Sequence, residues 1–296
     1  MNASVRWKFG RRQSRSGRLT AIIAAALMLL PLPALAARRF DVPITAHVLP
    51  DGNVRFTVPV RIGDGRPMAA MLDTGSFGLR VLSRALAPHQ YEPTGIVRRY
   101  DFQSGVVLTG PLAWTKAQIG TPGPRIPATI QVVRSIECSN AKPRCPAARL
   151  SPAEYGLGGD GIPYQGFDAI LGLSLRGVQA RVAALNPLAD HGDRRWIIIL
   201  PKPGQRAPGH LIINPDERDV AGFHRVALDH IRGPGGRPQL ADGRIPNCPE
   251  EPLEQQMDCP KMRIDTGASR GVQPFYDYEI LFNAARGAIA VKRRED

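Results

Sequence analysis

The sequence has little of what marks several classes of protein. Aromatic residues make up only 6% of it, and no basic stripe interleaved with aromatics indicates a nucleic-acid surface. No two of the six histidines lie four residues apart, and the four cysteines show no Cys-x-x-Cys spacing, so neither a metal site nor another cofactor is predicted. Long helices are disfavoured because 30 glycines and 28 prolines are spread along the chain.

A membrane-spanning run is also missing. The longest apolar segment, residues 19–30, is shorter than the roughly 20 residues that a spanning helix needs. It follows a basic segment and precedes Ala34-Leu35-Ala36, which is typical of a signal-peptidase site. We therefore predict a signal peptide over 1–36 and a secreted or periplasmic protein with no stable membrane span after cleavage. An uncleaved anchor is the alternative. Removal of six cations and no anions would lower the formal net charge from +13 to +7.

Export determines how the four cysteines are interpreted. Cys138 and Cys145 enclose one short segment, and Cys248 and Cys259 enclose another. An even number of cysteines in an exported chain favours local disulfides over a metal site. The predicted bridges are Cys138–Cys145 and Cys248–Cys259.

Period-2 alternation dominates the rest of the chain and predicts an all-β fold. Residues 54–62 alternate, a Gly-Asp-Gly turn follows, and residues 68–72 form a second strand that leads into Asp73. Further strands are predicted at 106–108, 112–117, 130–133, 196–200, 210–213 and 223–228. The polar segment 186–195 is the predicted boundary between two units, and 233–260 is a predicted surface loop. Trp114 and Trp196 lie in strand patterns and are predicted core residues.

Two Asp-Thr-Gly motifs carry the candidate chemistry, and they begin at Asp73 and Asp265. Each follows an apolar strand, so each carboxylate is expected at a strand end. Two adjacent carboxylates cannot both ionise and hold one proton between them. One can then act as a general base on water while the other donates to a substrate carbonyl. The predicted supporting residues of the two loops are Thr74, Gly75, Ser76, Thr266 and Gly267.

These motifs and their surroundings resemble the pepsin family of aspartic peptidases. The resemblance covers the hairpin and first loop (56–82), the strand 110–120, the Phe-Asp-Ala-Ile-Leu-Gly-Leu segment 167–173, and 196–229 with the closing hairpin 275–291. It implies a two-lobed acid protease fold whose cleft binds an extended peptide or protein substrate. The implied lobes are 37–190, with the first loop and a flap, and 191–296, with the second loop. The spacing of 192 residues between the aspartates fits two lobes in one chain.

The sequence departs from this family in three places. The flap tyrosine is either Tyr100 or Phe102. Ala268 stands where the first loop has Ser76, so Asp73 is expected to be the better stabilised anion, unless Ser269 replaces the missing hydroxyl. Only 31 residues follow Asp265, which predicts a reduced second lobe.

The resulting hypothesis is an exported aspartic-type endopeptidase with a water activated between Asp73 and Asp265. Two alternatives remain open at this point. One is a catalytically impaired pepsin-like protein that binds peptides without cutting them, and the other is an envelope-associated structural or assembly protein.

Overall fold

Alternating apolar side chains form the strands of the computed structural model, which describes residues 37–175, 186–232 and 238–295. In β2 (Val54–Ile62), every second residue from Phe56 onward, namely Val58, Val60 and Ile62, is buried. Such alternation places one face of a strand on the core. The prediction of a signal peptide over 1–36 lies outside the described residues.

The described residues contain eighteen strands and one turn of α-helix. The strands are β1 (Phe40–Val48), β2 (Val54–Ile62), β3 (Met68–Asp73), β4 (Phe77–Leu82), β5 (Glu92–Asp101), β6 (Val106–Ile119), β7 (Arg125–Val133), β8 (Ser135–Cys138), β9 (Ala169–Leu173), β10 (Arg195–Ile199), β11 (Gly209–Ile213), β12 (His224–Val226), β13 (His230–Arg232), β14 (Pro238–Leu240), β15 (Arg244–Pro246), β16 (Lys261–Arg263), β17 (Tyr278–Asn283) and β18 (Ala288–Arg293). The helix α1 is Pro274–Asp277, and 3-10 turns lie at Ser83–Ala85, Pro88–Gln90, Pro187–Asp190 and Gln255–Asp258.

Fourteen of these strands form one mixed sheet, so the fold is mostly β as predicted. β1 pairs antiparallel with β2 on one side and with β11 on the other. The sheet therefore continues from the strands around the first Asp-Thr-Gly motif to the closing hairpin β17–β18. Two ribbons, β13–β14 and β15–β16, lie outside it. The predicted division of the chain at residue 190 stays a prediction.

The first Asp-Thr-Gly loop is held between three strands. β3 runs parallel to β9 with Asp73 opposite Gly172, and β9 runs antiparallel to β4 with Gly78 opposite the same glycine. A Cβ atom on Gly172 would lie 2.7 Å from the carbonyl carbon of Phe77, so only glycine permits this approach. The segment 167–173 thus packs directly behind the loop.

The second loop lacks an equivalent strand among the described residues. Asp265 forms an isolated bridge with Gly271, and its N–H donates to the Gly271 carbonyl at 2.9 Å. The chain turns back on itself within six residues and then continues through α1 into β17 and β18. Asp265 is therefore fixed mainly by its own short loop.

Other expectations have mixed outcomes. The disulfides Cys138–Cys145 and Cys248–Cys259 are confirmed. The prediction that 233–260 is a surface loop is wrong for part of it, because this segment includes β14, β15 and a 3-10 turn.

Of the two tryptophans predicted to lie in the core, Trp196 is buried and stacks on Phe282 with ring centroids 5.6 Å apart. Trp114 is 56% exposed, so its assignment to the core is wrong. Its side chain lies on the solvent-exposed face of β6.

Candidate active site

Reciprocal hydrogen bonds join the two Asp-Thr-Gly loops. The N–H of Thr74 donates to Oγ1 of Thr266 at 3.0 Å, and the N–H of Thr266 donates to Oγ1 of Thr74 at 3.1 Å. Oγ1 of Thr266 also donates to the Leu72 carbonyl at 2.6 Å. Both threonines are fully buried. Loops that are 192 residues apart in the sequence are thus held together at their centres.

The glycines of the loops bring the two carboxylates together. The N–H of Gly75 donates to Asp73 Oδ1 at 2.8 Å, and the N–H of Gly267 donates to Asp265 Oδ1 at 3.0 Å. A Cβ atom on Gly267 would lie 2.6 Å from Asp73 Oδ1 and 3.3 Å from Asp265 Oδ1. On Gly75 it would lie 2.5 Å from the Asp265 carboxyl carbon. Each carboxylate therefore lies against the opposite glycine, and both border the same small space.

Both aspartates are buried, but their polar partners differ. Asp73 is 5% exposed and accepts a hydrogen bond from Ser76 Oγ at 2.6 Å. Asp265 is 7% exposed, and its Oδ2 lies 2.5 Å from Nη2 of Arg263. Arg263 stands two residues before Asp265, and alternation along a strand directs both side chains to the same face. The side chain in contact with Asp265 is thus a cation, whereas the side chain that donates a hydrogen bond to Asp73 is a neutral hydroxyl.

The surroundings of Asp73 change its pKa. Burial, followed by the neighbouring charge of Asp265, raises the pKa of Asp73 to about 6, although the hydrogen bonds from Ser76 and Gly75 oppose the shift. Burial thus outweighs the hydrogen bond from Ser76 at Asp73, and the expectation that Asp73 is the better stabilised anion of the two stays a prediction. Ser269 does not replace the missing hydroxyl, since its Oγ donates to Oδ1 of Asn53.

The raised pKa of Asp73 predicts a pH-dependent stability. Below the ordinary carboxyl pKa near 3.8 both states bind the proton, and as the pH rises to about 6 only the folded state retains it. Stability is therefore lost over this interval, by about 2–3 kcal/mol for a shift of this size. An Asp73→Asn variant lacks this loss. We expect the difference in free energy of unfolding, Asp73→Asn minus wild type, to be about 2–3 kcal/mol larger at pH 7 than at pH 4.

Urea unfolding at both pH values measures this difference. Asp258→Asn is the matched control, because it makes the same substitution at an exposed aspartate. An Asp73→Asn advantage that is equal at pH 4 and pH 7 would show that Asp73 ionises normally in the folded protein.

The predicted flap residues lie on the hairpin β5–β6. Tyr100 and Phe102 both line the cleft, with ring centroids 4.8 Å apart. The guanidinium of Arg80 lies 3.5 Å from the centroid of the Tyr100 ring, and Arg80 is only 2% exposed. A buried cation on an aromatic face is stabilised by the ring quadrupole. Arg80 therefore fixes the position of Tyr100, and which ring contacts a substrate stays a prediction.

The tip of this hairpin is held from two sides. Nη2 of Arg263 donates to Oε1 of Gln103 at 3.0 Å, which connects the tip to the second loop. On the other side, Lys142 donates to the Gln103 carbonyl, and the N–H of Ser139 donates to the Gly105 carbonyl at 2.8 Å. Lys142 and Ser139 lie in the segment closed by the first disulfide. The hairpin tip is thus linked both to the second loop and to the segment closed by the first disulfide.

A cleft of about 590 Å³ opens beneath the hairpin and borders both carboxylates. Its other wall includes Ile231, Arg244 and Arg263. A smaller cavity of about 100 Å³ borders Asp73 and has a mostly apolar lining. Arg55 lies at this cavity and forms an ion pair with Asp160 at 3.0 Å.

Several polar residues of the site were not predicted from the sequence, among them Arg80, Arg263 and Asp242. Arg80 and Arg263 were missed, although alternation relative to Asp265 could have indicated the position of Arg263. Asp242 is fully buried and accepts hydrogen bonds from Ser174 Oγ (2.8 Å) and from the N–H of Leu175. The N–H of Ser174 donates to the Ser76 carbonyl at 2.9 Å, so Asp242 supports the first loop indirectly.

Across the described residues, no helix is long and apolar enough to cross a bilayer, and no group of three or more His, Cys, Asp or Glu side chains could hold a metal ion.

No protein-family model matches the chain, and no curated protein matches it.

Proposed function

We propose that this protein is an exported aspartic endopeptidase that hydrolyses peptide bonds in an extended peptide or protein substrate. The observation that carries the proposal is the reciprocal pairing of the two Asp-Thr-Gly loops, which brings Asp73 and Asp265 together at the floor of a cleft. A pair of buried carboxylates that shares one proton supplies both a general base and a general acid.

The two carboxylates take different roles in this mechanism. Asp265, paired with Arg263, is the ionised member and accepts a proton from a water molecule between the carboxylates. The water oxygen forms a bond to the carbonyl carbon of the substrate. Asp73, whose pKa is raised to about 6, carries the other proton and donates it to the carbonyl oxygen. Asp265 then gives the proton that it took from water to the leaving nitrogen, and Asp73 accepts a proton from one hydroxyl of the tetrahedral species. The C–N bond breaks, which releases an amine and a carboxylic acid and restores both carboxyl groups to their starting states.

The proposed architecture is a two-lobed pepsin-like fold with a reduced second lobe. Support comes from the contrast between the loops, because Asp73 lies against β9 whereas Asp265 lies against Gly271 of its own loop. The two disulfides are compatible with an oxidising compartment outside the cytoplasm.

Peptide cleavage by the purified protein tests the proposal. We expect the protein to cut peptides in a mixed library between pH 3 and pH 7, and mass spectrometry identifies the new termini. Cleavage in H₂¹⁸O should place one ¹⁸O atom in each new carboxyl terminus. A substrate analogue with a secondary hydroxyl in place of the scissile carbonyl should inhibit competitively and bind more tightly than the substrate, because it resembles the tetrahedral species. The absence of any product over this pH range would contradict the proposal.

The ion pair between Arg263 and Asp265 favours a second candidate function, peptide binding without hydrolysis. The guanidinium of Arg263, 2.5 Å from Oδ2 of Asp265, occupies a hydrogen-bonding position that a water molecule held by this oxygen would need. The same library assay distinguishes the two functions, since a binding protein would retain peptides and release them uncut at every pH.

A further inference from the structure

Two arginines stand directly opposite each other in the cleft wall. Arg244 in β15 and Arg263 in β16 are cross-strand partners in an antiparallel ribbon. Directly opposite residues of such a pair project from the same face, with Cβ atoms about 5 Å apart. Both residues line the cleft that contains Asp73 and Asp265. Like charges in this position destabilise a ribbon, so the pair requires anions beside it.

The described part of the cleft supplies only some of these anions. Asp265 pairs with Arg263. Two other acidic residues of the cleft have their own cations, since Asp101 pairs with Arg99 at 2.9 Å and Asp229 pairs with Lys261 at 3.6 Å. Arg244 is exposed in the cleft and has no ion pair or side-chain hydrogen bond with any described residue. A carboxylate that enters the cleft therefore meets a guanidinium that has no ion-pair partner in the described part of the chain.

Arg263 retains capacity for a second anion. Its bonds to Asp265 and Gln103 both use Nη2. An arginine side chain has five N–H donors, so those on Nε and Nη1 are left without a described partner. Arginine forks bind carboxylates with two parallel hydrogen bonds, which adds directional preference to the charge attraction.

We propose that Arg244, assisted by Arg263, forms a subsite for an acidic side chain of the substrate. The preferred substrates are peptides with a glutamate or aspartate at one fixed position relative to the bond that is cut. This inference rests on the proposed function, because it names the substrate class of the same cleft. Arg244 is a specificity-determining residue, and it takes no part in the proton transfers.

A glutamate scan tests the subsite. Starting from one cleaved peptide, glutamate and glutamine are placed in turn at each of the four positions on either side of the cut bond. We expect kcat/KM to be about tenfold higher for glutamate at one position, since a charge-assisted hydrogen bond contributes more than about 1.4 kcal/mol. Arg244→Gln should reduce this ratio to less than about twofold. Arg244→Glu should reverse it, so that lysine is preferred at that position.

Arg206→Gln is the matched control, because it removes an exposed arginine that does not line the cleft and should keep the preference. Binding of the same fluorescent peptides to the Asp73→Asn protein, measured by anisotropy, separates the two proposals. If no peptide is cleaved, the scan uses the peptide that this protein retains most tightly.

The cleavage scan and the binding measurement together distinguish failure of the subsite from failure of the peptidase. Cleavage without a glutamate preference, or with a preference that Arg244→Gln does not change, overturns the subsite and leaves the peptidase intact. Glutamate-dependent binding that Arg244→Gln abolishes, without any cleavage, supports the subsite and contradicts the peptidase. Neither cleavage nor binding contradicts both.

Discussion

Replacing Asp73 by asparagine is expected to lower kcat/KM for peptide cleavage by about 10³-fold or more, and replacing Asp265 by asparagine is expected to do the same. Asparagine fills the same space and still accepts the hydrogen bond from the loop glycine. It neither exchanges a proton nor carries a charge, so the Asp73 variant loses the general acid and the Asp265 variant loses the general base.

The double variant distinguishes a shared mechanism from two independent contributions. Because the two carboxylates act as one unit, Asp73→Asn combined with Asp265→Asn should be no slower than either single variant. If the loss of kcat/KM in the double variant equalled the product of the two single losses, the two carboxylates would not act as one unit. Asp258→Asn controls for the substitution itself, and circular dichroism checks that the variants fold. Activity that survives Asp265→Asn would show that the reduced second loop takes no part in hydrolysis.

Replacing Thr266 by valine is expected to produce the second large effect, on stability and activity together. Valine has the shape of threonine but lacks the hydroxyl, so the N–H of Thr74 loses its acceptor and the carbonyl of Leu72 loses its donor. The buried N–H of Thr74 would lack this acceptor and the Leu72 carbonyl would lack this donor, at about 1–3 kcal/mol each. We expect the free energy of unfolding to fall by about 2–5 kcal/mol.

The activity should fall as well, since Thr266 fixes the distance between the loops that carry Asp73 and Asp265. A loss of about 10²-fold in kcat/KM is the expected size for a misplacement of about 1 Å. Thr266→Ser is the control that keeps the hydroxyl, and it should retain most of the activity. Thr74→Val should be milder, because among the described residues the Thr74 hydroxyl has only the bond from the N–H of Thr266. Equal stability of Thr266→Val and Thr266→Ser would contradict this account of the loops.

Much of the local structure could be predicted because it depends on neighbours in the sequence. Alternation of apolar residues predicted β2, since a strand with one buried face requires that period. Short runs of apolar residues predicted β3, β10 and β11. The expectation of export, together with the even number and short spacing of the cysteines, predicted both disulfides. The repeated Asp-Thr-Gly motif predicted that the two loops would meet, because a strand end, a sharp turn and a hydroxyl recur in both.

The electrostatics of the cleft could not be predicted in the same way. The sequence favoured Asp73 as the anion because Ser76 lies three residues away, whereas the structure gives Asp265 the arginine and raises the pKa of Asp73 to about 6. Similarly, nothing local indicated that Arg80 would be buried against Tyr100, or that Arg244 would face Arg263.

The sequence by itself thus determined the strands, the two disulfides and the identity of the paired aspartates. Only the tertiary structure decided which aspartate contacts a cation, how the tip of the hairpin β5–β6 is held and which charged side chains line the cleft. The physical reason is one of range. Backbone preference and side-chain alternation act between neighbours along the chain, whereas burial and ion pairing depend on residues that folding brings together.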